Sequence, residues 1–184
     1  EQGTVNADIG YLCTADAGGT LGTTAITFVQ FNGAGQIVAA GSLEALDKLI
    51  ENPPAGARVR ALAVAGAFHT HYMQPAVSHV AGFVEKVTIN EPKAQLLSNK
   101  DGAVVSNGRE VLDRIVNQIA NPVRWDLCMQ RLATLGVTGV IEVAPAGTLV
   151  GLIKRAVPTI EQFALKSPAD IDAAREFAAA HGGI

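Results

Sequence analysis

Val137 to Ala156 reads VTGVIEVAPAGTLVGLIKRA, a run that passes from one kind of periodicity to another. Val137 to Val143 is β-branched enough for a buried strand. Pro145-Ala146-Gly147 interrupts it, and Leu149 to Ala156 continues as a helix. A further strand is expected at Ile160 to Ala164, then a helix from Ser167-Pro168 to about His181, with Pro168 at the favoured first helical position. Strand, helix, strand is how parallel strands are joined, because a parallel pair needs a crossover long enough to hold a helix. The expected class is therefore α/β with a parallel sheet.

Upstream of this unit, Asn121-Pro122 separates two helices, Glu110 to Ile119 and Trp125 to Leu135. Asn99 to Gly102 (NKDG) is a turn signal after a strand at Ala94 to Ser98. Tyr72 to Val87 places Met73, Val77, Val80, Ala81 and Val84 at helical spacing. Earlier still, Thr24 to Gln30 (TAITFVQ) and Gln36 to Ala40 (QIVAA) read as a hairpin-like pair of strands about Asn32-Gly33. Ser42 then caps a helix over SLEALDKLIEN that must stop by Pro53-Pro54, and Arg58 to Val64 alternates charged and apolar residues as a strand. That order is typical of a small α+β layer and sets an expected boundary near residue 65.

The chain of 184 residues holds 48% hydrophobic and 17% charged residues, enough for a sizeable core and against intrinsic disorder. Its longest apolar stretch, Ala61 to Phe68, is far below the roughly 20 residues that cross a bilayer, so no membrane partner is expected. A formal charge of −3 with scattered charges offers no footprint for nucleic acid. Cys13 and Cys128 lie far apart with no CxxC, which signals neither a zinc site nor a disulfide framework and fits a reducing, cytoplasmic setting. No secretory signal is visible at the N-terminus. The chain starts at Glu1 rather than Met, so upstream residues are expected in the natural protein.

Of the four histidines, His69 in VAGAFHTHYM stands where an apolar strand hands over to the next helix, a junction at which α/β folds place functional side chains. A neutral imidazole suits general-base work when something orients it and a reactive group lies within reach; otherwise it is a hydrogen-bonded loop histidine. His71 and His79 read as solvated, and His181 as part of a frayed, uninvolved tail. No G-x-S-x-G elbow, phosphate loop or dinucleotide signature is present, and the serines read as caps, helix-face or turn residues. Cys128 reads as a small buried apolar residue. The residues alone give a base without a nucleophile.

Four segments, in order, resemble the malonyl-CoA:acyl-carrier-protein transacylase family and the related acyltransferase domains of polyketide and fatty-acid synthases. They are FNGAGQIVAAG (Phe31 to Gly41), VAGAFHTHYMQPA (Val64 to Ala76), NPVRW (Asn121 to Trp125) and IEVAPAGTLVGLIKR (Ile141 to Arg155). The resemblance implies a partial, α/β-hydrolase-like parallel-sheet acyltransferase core over 66–184 and part of a small ferredoxin-like α+β subdomain over 1–65. It implies that His69 takes the proton of a serine that attacks the malonyl-CoA thioester, and that the backbone carbonyl of Arg124 orients the ring as a triad carboxylate does elsewhere. Asn32 is similar to the family asparagine facing the acyl pocket. Phe68 corresponds to a bulky aromatic that narrows this pocket and favours malonyl over methylmalonyl.

The implied partners are malonyl-CoA and acyl carrier protein, in fatty-acid or polyketide biosynthesis. Coenzyme A thioester is the substrate, and no metal or other cofactor is implied. The family's serine elbow, first oxyanion donor and carboxylate-binding arginine lie upstream of the asparagine segment, where this chain has too few residues to hold them. The chain by itself is therefore expected to be inactive. Two other readings stay open at this point: a non-catalytic scaffold or carrier-docking module, and a thioesterase of related fold.

Overall fold

The computed structural model describes residues 10–14, 26–29, 36–55, 57–62 and 66–182. β1 (Gly10–Thr14), β2 (Ile26–Val29), β3 (Gln36–Gly41) and β4 (Arg58–Ala61) form an antiparallel sheet in the order β2-β3-β1-β4. β2 and β3 are the expected pair, with Phe28 opposite Ala39. β1 was not legible in the Gly- and Thr-rich N-terminal stretch. It is central nevertheless, because Leu12 stands opposite both Val38 and Arg60. A strand inserted beside a sequential hairpin is the split order of ferredoxin-like layers.

α1 (Leu43–Glu51) starts where Ser42 Oγ accepts the Ala45 N–H at 3.3 Å, and it stops at Asn52 before the two prolines. Leu46 and Leu49, one helical turn apart, are buried against Ala39 and Val59 of the sheet. β4 closes this sheet with Arg58 and Arg60 along its edge.

A 3₁₀ turn (His71–Met73) leads into α2 (Gln74–Val84), whose half-buried Val77, Val80, Ala81 and Val84 form the expected stripe. The NKDG turn joins a short antiparallel pair, β5 (Leu96–Leu97) and β6 (Val104–Val105); only the first of these strands was expected. α3 (Gly108–Gln118) and α4 (Trp125–Thr134) flank the Asn121-Pro122 break.

β7 (Gly139–Val143), α5 (Thr148–Ala156) and β8 (Glu161–Leu165) form the strand, helix, strand unit, and β7 pairs with β8 in parallel, Ile141 beside Phe163. Successive residues of β7 face opposite layers. Val140 joins Met129 of α4 and Leu152 and Ile153 of α5 in one core. On the other face, Phe163 stacks on Phe177 of α6 (Ile171–Ala180) at 5.6 Å between ring centroids. The sheet is thus sandwiched between helices.

His181 differs from the sequence reading: it is not part of a frayed, idle tail. Its Nδ1 lies 3.0 Å from Thr138 Oγ1, and its ring covers Gly139 so closely that an added Cβ there would sit 2.5 Å from it. The histidine fastens the last helix to the start of β7.

Candidate active site

The site begins with a backbone conformation. Among the described residues His69 is the one non-glycine with positive φ, at 62°, a region that costs an L-residue about 1–3 kcal/mol and persists only where its surroundings enforce it. The enforcement is visible on both sides. The His69 N–H donates to Ile119 O at 3.2 Å. Thr70, 1% exposed, donates its hydroxyl to Ala67 O at 2.7 Å and accepts the Tyr72 N–H at 3.3 Å, which locks the turn into the next helix.

The ring is oriented as well. His69 Nδ1 lies 2.8 Å from the backbone oxygen of Gln118 at the end of α3. A carbonyl accepts and cannot donate, so Nδ1 carries the proton and the lone pair sits on Nε2. This is the tautomer a general base needs, and a main-chain oxygen holds it.

The orienting residue is Gln118, which corrects the expectation that placed the role on Arg124. The Arg124 carbonyl instead accepts the N–H groups of Leu127 (3.1 Å) and Cys128 (3.3 Å) in the first turn of α4. Its guanidinium grips Asp126 through Nε (3.0 Å) and Nη2 (2.7 Å), and this pairing lowers the Asp126 carboxyl below its ordinary value. The physical reason is geometric. Helix α3 ends with carbonyls that lack intrahelical partners, whereas residue 124 opens a helix whose own turn consumes its oxygen. Nothing in the sequence marks that oxygen beyond its place at the close of an expected helix, three residues before the Asn121-Pro122 break.

His69 lines a cleft of about 690 Å³ whose walls are mainly apolar, including Leu97, Ile115, Val123 and Leu149. Arg114 also faces this cleft, but its guanidinium is engaged by Asp101 and Glu110, each at 2.8 Å. Cys128 is buried with its thiol 3.5 Å from Ser98 O, and burial, aided by Asp126 and Asp101, pushes that thiol up, away from nucleophilic use. Phe68, next to the histidine, is 51% exposed. Asn32 lies outside the described residues. A second cleft of about 400 Å³ shares Trp125, Leu132 and Leu149 with the first and runs along β7, past Ile141 and Val143.

Glu142 holds the loop at the end of β7. Its carboxylate accepts N–H groups of Gly147 (2.8 Å), Leu149 (3.0 Å) and Val150 (3.0 Å) at the start of α5. Partial burial alone would raise this carboxyl, yet the N–H donors prevail and hold it below the usual carboxylate range. Among the described residues no His, Cys, Asp and Glu cluster would hold a metal, and no helix is long and apolar enough to cross a membrane.

No family model matches the chain. It is 52% identical over 141 residues to the malonyl CoA-acyl carrier protein transacylase of Mycobacterium tuberculosis, a match that covers 77% of this chain and 47% of the relative. The crystal structure of the transacylase from that organism superposes with a TM-score of 0.79 at 42% identity, over 91% of this chain and 57% of that one. A malonyl-transacylase solved in complex with its type II PKS acyl-carrier protein superposes with a TM-score of 0.81 at 27% identity, over 93% of this chain and 59% of that one. The chain therefore spans about half the length of the relatives it matches.

The fold is that of the α/β acyltransferases. Within that class, the chain is similar to the malonyl-CoA:acyl-carrier-protein transacylases, over about half of their length.

Proposed function

We propose that this chain carries the base-bearing part of a transacylase site that moves malonyl from coenzyme A to the phosphopantetheine thiol of acyl carrier protein. The observation that carries the reading is the contact of 2.8 Å between His69 Nδ1 and the Gln118 carbonyl, at the wall of an apolar cleft. With Nδ1–H committed to that oxygen, Nε2 is free to take a proton from a hydroxyl. The hydroxyl would be the serine that the family places upstream, in the portion of the relatives' length that this chain does not span.

The serine oxygen attacks the malonyl thioester carbonyl while Nε2 accepts its proton, and the imidazolium returns that proton to the departing coenzyme A sulfur. In the second half the phosphopantetheine thiol gives its proton to Nε2 and attacks the acyl-serine, and the serine oxygen leaves with that proton. The exchange of one thioester for another is redox-neutral, and the only coenzyme it uses is the thioester substrate. The acyl-carrier complex of the structural relative supports the choice of acceptor. The reading places the protein in the cytoplasm, where both substrates are made.

Phe68, exposed beside the base, and Asn32, by resemblance, would line the acyl pocket. An added methyl is discriminated by about 1–3 kcal/mol in such pockets, so Phe68→Ser should raise use of methylmalonyl-CoA relative to malonyl-CoA roughly tenfold to a hundredfold.

The test is acyl-enzyme formation with labelled malonyl-CoA, measured by intact mass. The protein extended to the length of its relatives should take up one malonyl group, and the 184-residue chain none. His69→Ala in the extended protein should slow acylation by roughly 10⁴-fold or more. Acylation of that variant at the parent rate would remove His69 as base, and no acylation of the extended protein would favour a non-catalytic carrier-docking module.

A further inference from the structure

The backbone oxygen that orients His69 belongs to a residue whose side chain is also buried, with both protons of its amide nitrogen in use. Gln118 is 8% exposed, and its Nε2 donates to Asn121 O and to Pro122 O, both at 2.7 Å. A carboxamide nitrogen has two protons, so these two bonds exhaust it. The turn they close is stitched further by Asn121 Nδ2, which donates to Asn117 O at 2.6 Å, and by the Asn121 N–H, which donates to Gln118 O at 3.3 Å.

The free carbonyls at the end of α3 are distributed with little slack. Asn117 O takes the Asn121 side chain, Gln118 O takes the His69 ring, and Ile119 O takes the His69 N–H at 3.2 Å. If the loop after α3 opened, the Gln118 oxygen would be released to water, and the ring would lose the partner that fixes its proton on Nδ1.

We propose that the Gln118 side-chain amide is a positioning residue for His69: by bracketing Asn121 O and Pro122 O it holds the loop closed, and the closed loop keeps the Gln118 carbonyl on imidazole Nδ1. The same residue thus orients the base twice, with its main chain directly and with its side chain through the loop. In water a neutral imidazole favours its Nε2–H form, in which the nitrogen needed as base is blocked. The bracket works against that preference.

The direct measurement is the ring tautomer, read from long-range ¹H–¹⁵N spectra of the labelled chain at about pH 8.5, some two units above the ordinary histidine value. The parent should show His69 as Nδ1–H. Gln118→Met, similar in length and unable to donate, should shift the major form to Nε2–H. A parent ring found as Nε2–H, or a folded Gln118→Met whose ring stays Nδ1–H, would overturn the proposal.

Should Gln118→Met fail to melt cooperatively, the parent decides alone. Both Gln118 Nε2 protons are expected to exchange slowly with solvent, and exchange as fast as that of a surface amide would refute the bracket. The consequence for turnover rests on the transacylase reading. In the protein of full family length Gln118→Met should lower kcat for acylation about tenfold or more, short of the roughly 10⁴-fold that a wrong tautomer costs a serine–histidine pair, with KM for malonyl-CoA unchanged. A normal tautomer shift without any parent acylation would sink the functional reading and leave the bracket standing. Acylation with no tautomer shift would do the reverse.

Discussion

The antiparallel sheet of β1 to β4 and the parallel pair β7–β8 meet solvent in opposite ways. In the first, α1 buries Leu46 and Leu49 almost completely, and the outer strand β4 carries Arg58 and Arg60. In the second, helices cover both faces, yet β7 leaves Val143 68% exposed and Ile141 at its surface, beside the cleft that leads toward His69. An antiparallel sheet can end at a charged strand, because charge blunts a free edge. Parallel strands are built to be covered on both faces, and their edges are apolar because a neighbour is expected there. The difference is that the outer strand β4 meets solvent with charge, whereas β7 meets it with apolar side chains.

The largest effects should separate the two regions. Leu46→Ala and Leu49→Ala remove packed side chains and should each cost about 2–5 kcal/mol in urea denaturation. Val143→Ala should stay within about 0.5 kcal/mol in the same experiment. Equal losses would break the comparison, since β7 would then be covered in this chain as well.

Next comes Gly139→Ala, whose new Cβ would sit 2.5 Å from the His181 ring. Displacing that ring should cost about 1–3 kcal/mol. Most of the loss should vanish when the change is made in a His181→Ala background, as a double-mutant cycle would record. Independent, additive losses would mean that the histidine does not fasten α6 to β7.

Glu142→Gln should cost about 1 kcal/mol at neutral pH, because the carboxylate faces three N–H groups at the start of α5. The pH dependence follows from its depressed folded value. The contribution is fully present above the unfolded value near 4.5 and is lost as pH falls through the lower folded value. Parent and variant melting temperatures should therefore converge as pH falls through that lowered folded value, and a gap that persists in strong acid would refute the assignment. The smallest effect belongs to Ser42→Ala, at about 0.5–1 kcal/mol, since one cap bond of 3.3 Å is lost from α1. Helicity followed by circular dichroism would detect it, and an unchanged melt would show that Ser42 is not the effective cap.

Much of the fold was legible because local chemistry and global structure agree. Ser42 and the two prolines bound α1, Asn121-Pro122 divides α3 from α4, and the switch from VTGVIEV to GTLVGLIKR marks strand and helix. β1 was not legible, since its place at the centre of a sheet rests on partners from residues 36–41 and 58–61 rather than on its own pattern. β6 was missed because two residues carry no periodicity. At the site, His69 could be singled out from its junction, but the oxygen that orients it could not. Backbone carbonyls have no sequence identity, and the choice between residues 118 and 124 depends on which helix ends and which begins beside the ring.

Residue order alone established the α/β class, the order of the helices from 43 onward and the candidacy of one histidine, because caps, breakers and periodicity act over a few neighbours. Tertiary structure decided what that histidine is: a strained residue held by the end of α3, with its proton fixed on Nδ1 by Gln118. It also decided that His181 is a fastening rather than a tail. Both outcomes are contacts across more than forty residues, 49 and 43 respectively, beyond the reach of any local pattern.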